Sequence, residues 1–588
     1  MKFVSKIHKY LYIILTALLI GTFFGLSYYS SHGLKVGKII NVAPESITYD
    51  EIAHIGASYQ YWHDKKIILN AEHPALTKII VGLPISQMKL NSPGVSNADL
   101  LNGHEGIQWL YGRNLILFNN PTKTHQIINR ARLTMLLANT LLLIMAIALT
   151  FKLFSKKTSL LLLALLALNP VFIGHATLVT FDVPALLTTI LVLLGMVGFV
   201  KYRTYKWSIL AGGLMGLALV TKYSAIAVFI YATIYMFGLA IYDFVKKTNN
   251  LNKNLLNISY FYLATLMVII IIYLPFVINL SSADQLTLMS KNWTGHLSRY
   301  PNDLLSFLTK LSLITKALAV WLNGLFITKL EVVSGRSGTF FMSHVYSSGY
   351  ILPYFPTLIL TKTPIGTLLI IAISFWHFGT DVIKRESKKY LKFAALPLIY
   401  GLVYLAYGMD SRLKLGVRHM FPVIGSLILF SAIVVSNNWS KLVLKIKTST
   451  LVLVFVALIL IATLLSFPHE ISYYNEITGG TYNSYNIAGD SNYDWGQDYL
   501  ALHNWKVANP DKKLYLDVFA ADGVTDYYFG NSPDIYTKWN NNKLPKGSYI
   551  AVDTNILSNR EASLNINYKN YFTKPPFRLT PAIFIFEK

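Results

Sequence analysis

Long apolar runs separated by short connections rich in Lys and Arg dominate this chain. Crossing a hydrocarbon core about 30 Å thick takes roughly 20 predominantly apolar helical residues. Runs near that length fall at 11–29, 133–151, 158–173, 183–200, 207–220, 223–243, 256–278, 352–376, 393–409, 419–436 and 449–467. The pattern predicts a polytopic α-helical membrane protein of about 11 transmembrane helices. The first run is longer than the roughly 7–15 residues of a signal-peptide core and no small-x-small cleavage site follows it, so it reads as a span.

The connections orient the spans. Lys2/Lys6/Lys9, Lys152/Lys156/Lys157, Lys201/Arg203/Lys206, Lys246/Lys247/Lys253, Lys384/Arg385/Lys388/Lys389/Lys392 and Lys441/Lys445/Lys447 fall on alternate loops. By the positive-inside rule these loops are cytoplasmic, which places the N-terminus inside and the protein in the plasma or inner cell membrane. The opposite loops, 30–132, 174–182, 279–351 and 410–418, and the tail 468–588 then face outside. In the tail, KLYLDVF, SYIAVD and PAIFIF are β-rich runs between Asn, Pro, Gly and Asp clusters. They predict a small extracytoplasmic C-terminal α/β domain after a transmembrane domain, 1–467.

Composition narrows the function. Hydrophobic residues make up 53% of the 588 and charged residues 14%, so the formal charge of +24 is carried mostly by loops beside membrane spans. A nucleic-acid partner would need a basic folded face with groove-reading or stacking elements, and Lys and Arg scattered in threes exclude it. The chain has no Cys, hence no disulfide, thiolate metal site or Cys nucleophile. P-loop, GxGxxG, HExxH and GxSxG elements are also missing, which removes the usual signs of ATP-driven transport, a dinucleotide cofactor, zincin chemistry and an α/β-hydrolase elbow.

Titratable side chains gather on the predicted outer face. Asp50 and Glu51 open the amphipathic stretch EIAHIGASYQYW, with His54 a turn later and His73-Pro74-Ala75-Leu76-Thr77-Lys78 following. Ile52, Ile55 and Tyr59 would lie on the membrane surface with the carboxylates turned inward. Arg130 and Arg132 precede the second span; Arg forks suit phosphate, and equally anchor helix ends by snorkelling. His175 and Asp182 flank a short outer loop, where Asp182 before Val183-Pro184 suits a helix cap as well as a site. Lys362 falls within an apolar run, where an unpaired charge is costly and a lipid phosphate is the natural partner. Arg418-His419 repeats the theme at another outer boundary. A transporter would place charges at the bilayer midplane on broken helices; clustering at one face fits an enzyme acting on a membrane-borne donor.

These motifs resemble a family. Asp50-Glu51 with His54, the HPALTK form of an HPPL-type motif, Arg132, LVTFDVP, TKY at 221–223, YFPTLILTKTP and GVRHMFP occur in the order seen in GT-C membrane glycosyltransferases, nearest the protein O-mannosyltransferase and lipid A aminoarabinose transferase group. DSNYDWGQDYL at 490–500 resembles bacterial glycosyltransferases. Ala75 departs from the motif's second Pro. The resemblance implies a GT-C-like fold and inverting transfer of a sugar from a polyprenyl-phosphate donor to a hydroxyl of a protein or an envelope lipid or glycan, on the extracytoplasmic face. It implies Asp50 as general base with Glu51 the competitor, Arg132, Lys362 and Arg418 on the donor phosphate, and His54, His73, Lys78, Asp182 and His419 around the substrates. No cofactor or metal is required. Two other readings stay open: an oligosaccharyltransferase using a pyrophosphate-linked donor and a divalent metal held by Asp50 and Asp182, and a flippase for lipid-linked sugars.

Overall fold

The computed structural model describes residues 2–36, 40–102, 106–247, 251–292, 299–335, 338–384, 389–530, 544–564, 568, 572 and 574–588; Arg385 and Lys388 of the predicted basic loops lie outside these. Ten described helices are long and apolar enough to cross a membrane, and a bent pair, Lys156–Ala167 with Pro170–Ala176, makes an eleventh. The expected membrane architecture is the one observed.

Two helices form the centre of the bundle. The apolar stretches of Asp182–Tyr202 and Val417–Asn437 are 94% and 89% buried, whereas that of the N-terminal helix, Tyr10–His32, is 11% buried and turns its apolar side chains outward. The close approach of neighbours to the buried helices rests on small residues. A Cβ on Gly198 would fall 2.0 Å from the Trp207 ring.

Four details differ from the sequence reading. The run 158–173 is not one straight helix: it bends by 69° where Asn169 caps a new helix that opens on Pro170. The run 207–220 forms Tyr205–Leu219, whose 15 residues span only about 22 Å. The run 352–376 is divided at Pro364, which leaves Thr363 extended (φ −91°, ψ 133°) between Tyr354–Lys362 and Ile365–Ile383. Lys362 therefore ends a short helix and does not lie inside an apolar span.

The fourth difference is the helix Leu313–Ser334 inside the stretch read as an outer loop. It is itself one of the ten helices long and apolar enough to cross a membrane, and three of its side chains are held at one end of the bundle: Lys316 Nζ reaches the Leu280 carbonyl, Trp321 Nε1 the Leu219 carbonyl at 3.1 Å and Thr328 Oγ1 the Glu72 carbonyl at 2.7 Å. At the opposite end the basic connections meet one another. Lys201 Nζ donates to the Leu153 carbonyl at 2.7 Å, Arg203 pairs with Asp243 at 2.9 Å, and Lys441 pairs with Asp381 at 2.5 Å.

The three β-rich runs of the tail are strands in a four-stranded sheet. Leu514–Asp517 pairs in parallel with Tyr549–Asp553, which pairs antiparallel with Ile583–Glu587, and the short Phe577–Arg578 closes the outer edge. Ile550, Val552, Phe584 and Phe586 pack a small apolar core of their own. Ahead of this sheet, Asp490–Asp498 docks on the segment entering the Tyr49–Asp64 helix: Ser46 N donates to the Gln497 carbonyl at 2.8 Å and Tyr49 N to the Trp495 carbonyl at 3.0 Å.

Candidate active site

Asp50 and Glu51 begin the Tyr49–Asp64 helix, which is buried from Glu51 through Tyr61. It does not lie on a membrane surface as its amphipathic pattern suggests. Neighbours cover it closely on two sides: a Cβ on Gly112 would meet the Ile52 carbonyl at 2.0 Å, and one on Gly82 the Ser58 carbonyl at 2.0 Å. Successive helical side chains diverge by about 100°, so the two carboxylates face different surroundings.

Glu51 points into protein. Its Oε2 accepts from Thr48 N and Thr48 Oγ1, both at 3.0 Å, and its Oε1 accepts from Val179 N at 3.1 Å. Arg132 completes the shell with Nε at 3.0 Å and Nη2 at 2.6 Å from the two carboxylate oxygens. Burial pushes the Glu51 carboxyl up, but the charge and hydrogen bonds of Arg132 outweigh it and hold the group below its ordinary value. Arg132 also donates to the carbonyls of Glu45 at 3.1 Å and Ser46 at 2.8 Å, and is itself fully buried. Arg132 is thus a clamp on the segment before Asp50 and has no free edge for a donor phosphate. Both Glu51 oxygens are thus occupied by protein donors.

Asp50 points the other way, with its side chain 24% exposed. Arg418 Nη1 lies 2.8 Å from Asp50 Oδ2 and 3.7 Å from Asp182 Oδ2, so one guanidinium bridges two carboxylates. Asp182 Oδ1 in turn accepts from Lys222 Nζ at 2.5 Å. The two central helices create this meeting: Asp182 opens one of them and Arg418 lies in the first turn of the other. His419 follows Arg418, within electrostatic reach of Asp182. Arg418 Nε contacts the Leu415 carbonyl at 3.4 Å, and Nη2 has no hydrogen-bond partner among the described residues.

Lys362 is buried with its Nζ on the carbonyls of Asn492 at 2.5 Å and Ile471 at 3.0 Å, and 4.5 Å from the Tyr474 ring centre. Burial alone drives its pKa well down. Lys362, expected from the sequence to meet a lipid phosphate, ties two tail segments to the bundle.

His54 and His73 flank Phe181, at 4.7 and 4.4 Å between ring centres, and lie 5.2 Å from each other. Burial lowers both imidazoles, His73 most strongly, and favours their neutral forms. His54 Nδ1 lies 2.6 Å from the Val179 carbonyl, which calls for a proton on that nitrogen. Lys78 is enclosed, with Nζ on the carbonyls of Asn70 and His73 and on Asn70 Oδ1 at 3.2 Å, and burial brings it down to about 7. It secures the 70–73 loop. His73 lines a cavity of about 60 Å³ with Tyr61, Tyr223, Tyr273, Gln285 and Asn323.

Of the residues chosen from sequence, Asp50, Asp182, Arg418 and His419 converge; Glu51 and Arg132 form a separate buried pair behind them. The sequence reading gives Lys222 no role, although TKY is among its motifs. Its signal was a cation at the break between two apolar helices, which a span count treats as a turn.

Residues 44–283 match the dolichyl-phosphate-mannose-protein mannosyltransferase family. ArnT from Cupriavidus metallidurans, solved bound to undecaprenyl phosphate, is similar at 14% identity and TM-score 0.42, covering 98% of this chain and 97% of that one. The oligosaccharyltransferase AglB from Archaeoglobus fulgidus, in complex with an inhibitory peptide and a dolichol-phosphate, is similar at 12% identity and TM-score 0.46, over 93% of this chain and 70% of that one. No curated protein matches the sequence.

Proposed function

We propose that this chain, whose residues 44–283 match the dolichyl-phosphate-mannose-protein mannosyltransferase family, is a membrane glycosyltransferase that moves a sugar from a polyprenyl-phosphate donor to an acceptor hydroxyl on the extracytoplasmic face, with inversion. The observation that carries the reading is the Asp50–Arg418–Asp182–Lys222 chain of charges. Two cations at one helix-end cluster neutralise a phosphate as it departs, and a partly exposed carboxylate beside them takes a proton.

In the step, the acceptor O–H proton passes to Asp50, the acceptor oxygen bonds the anomeric carbon, and the carbon–oxygen bond to phosphate breaks. The polyprenyl phosphate leaves with its charge met by the unengaged Nη2 of Arg418 and by Lys222. Asp182 keeps both cations in place. A guanidinium lies between Asp50 and Asp182, where the pyrophosphate reading would require a divalent metal, so transfer should persist in chelator.

The test is a membrane assay with radiolabelled polyprenyl-phosphate sugars, with and without chelator, followed by extraction into protein, lipid and polysaccharide fractions. Asp50→Asn should lower turnover by about 10²–10⁴ while donor binding is largely kept. Near-normal turnover in Asp50→Asn with an inactive Glu51→Gln would reassign the base. A reporter fused after Lys588 that works only in the cytoplasm would reverse the orientation.

A further inference from the structure

The tail motif Asp490–Asp498 has no part in the chemistry above, yet it forms the bed of Arg418. The Arg418 guanidinium carbon lies 4.1 Å from the ring centre of Trp495, which is 3% exposed. Asn492 Oδ1 accepts from Val417 N at 2.8 Å, and Ser491 Oγ donates to the Leu415 carbonyl at 2.7 Å. The close approach needs Gly416: its φ is +116°, and a Cβ there would stand 2.6 Å from Ser491 Oγ. Lys362 holds the other side of the segment through the Asn492 carbonyl. The ring itself is fixed, since Trp495 N donates to Gln497 Oε1 at 2.7 Å and its side chain packs on Leu178 and Ile471.

We propose that Trp495 is a positioning residue for the donor phosphate: its ring face fixes the plane of the Arg418 guanidinium, so that the C-terminal segment completes a site otherwise built from the outer-loop helix of Asp50 and the membrane helices of Asp182 and Arg418. A flat, weakly hydrated guanidinium pressed on a buried indole keeps its in-plane N–H edges free, one for Asp50 and one for an anion. Without the ring, the side chain has nothing to hold that edge outward, and the Asp50 and Asp182 carboxylates draw it in. This inference rests on the polyprenyl-phosphate reading above.

The test is a double-mutant cycle on the full-length protein, reading the affinity for radiolabelled polyprenyl phosphate. Stacking on a desolvated indole predicts that Trp495→Leu weakens binding roughly 10- to 30-fold, whereas Trp495→Phe, which keeps a smaller ring face, weakens it about threefold. In an Arg418→Gln background neither change should matter by more than about twofold, because Trp495 acts through the guanidinium. If Trp495→Leu fails to fold, the Trp495→Phe cycle decides by the same comparison. Equal losses with and without Arg418 would overturn the role of Trp495 and leave the donor reading intact. No binding of polyprenyl phosphate by the wild-type protein would overturn both.

Discussion

Arg132→Met distinguishes a structural clamp from a phosphate ligand. The substitution removes two charge-assisted bonds to Glu51, of 3.0 and 2.6 Å, and two donors to the carbonyls of Glu45 and Ser46, all in a fully buried setting. Glu51 keeps the donors of Thr48 and Val179 but loses its counter-charge. Removing one partner of a buried pair costs about 3–5 kcal/mol, most of it the penalty of the stranded charge, whereas replacing both partners by apolar groups costs far less. Glu51→Leu should therefore destabilise by a similar amount, and Glu51→Leu/Arg132→Met by clearly less than the sum of the singles. The assay is unfolding of the detergent-solubilised protein followed by tryptophan fluorescence, alongside donor KM and turnover. The pH dependence has a definite sign. Because Glu51 is held below its ordinary value of 4.5, the pair's contribution is fully present above that pH and is lost as the solution is acidified further. An Arg132→Met protein that unfolds like wild type but shows a raised donor KM would refute the clamp and restore the phosphate role.

Three further outcomes follow from the same geometry. Lys362→Met removes two hydrogen bonds from a buried amine to the carbonyls of Ile471 and Asn492, so it should cost stability, about 0.5–1.5 kcal/mol for each bond; unchanged unfolding would show that the lysine does not anchor the tail. Glu470 keeps its proton up to about 8, because burial disfavours its charge, against an ordinary value of 4.5. The folded state then loses stability relative to the unfolded chain as pH rises across that window, so Glu470→Gln should be more stable than wild type at pH 8 and no different at pH 4, and an equal gain at both would contradict the buried-proton account. Lys222→Met leaves Asp182 to Arg418 alone and should lower turnover by about 10²-fold through lost stabilisation of the leaving phosphate; a change confined to acceptor KM would remove Lys222 from the donor side.

Hydropathy by itself determined the membrane class, nearly all the spans and the strands of the tail, because apolar length and alternation are local properties that burial in lipid or in a sheet imposes directly. The order of motifs also brought Asp50, Asp182 and Arg418 forward before any geometry. Hydropathy could not separate Leu313–Ser334, which is held to the carbonyls of Leu280, Leu219 and Glu72, from a loop or a span, since lying against protein and lying in lipid favour the same side chains. Nor could the sequence tell which cation serves which carboxylate. Glu51 and Arg132 are 81 positions apart, Asp50 and Arg418 are 368 apart, and Lys222 reaches Asp182 across 40. In a buried setting an ion is held by whichever opposite charge and carbonyls the packing delivers, and that was decided where helix ends converge. Lys362 and Lys78 show the same physics from the other side: each is a lone cation in an apolar stretch of sequence, and in the fold each is met by backbone carbonyls from a neighbouring or distant turn.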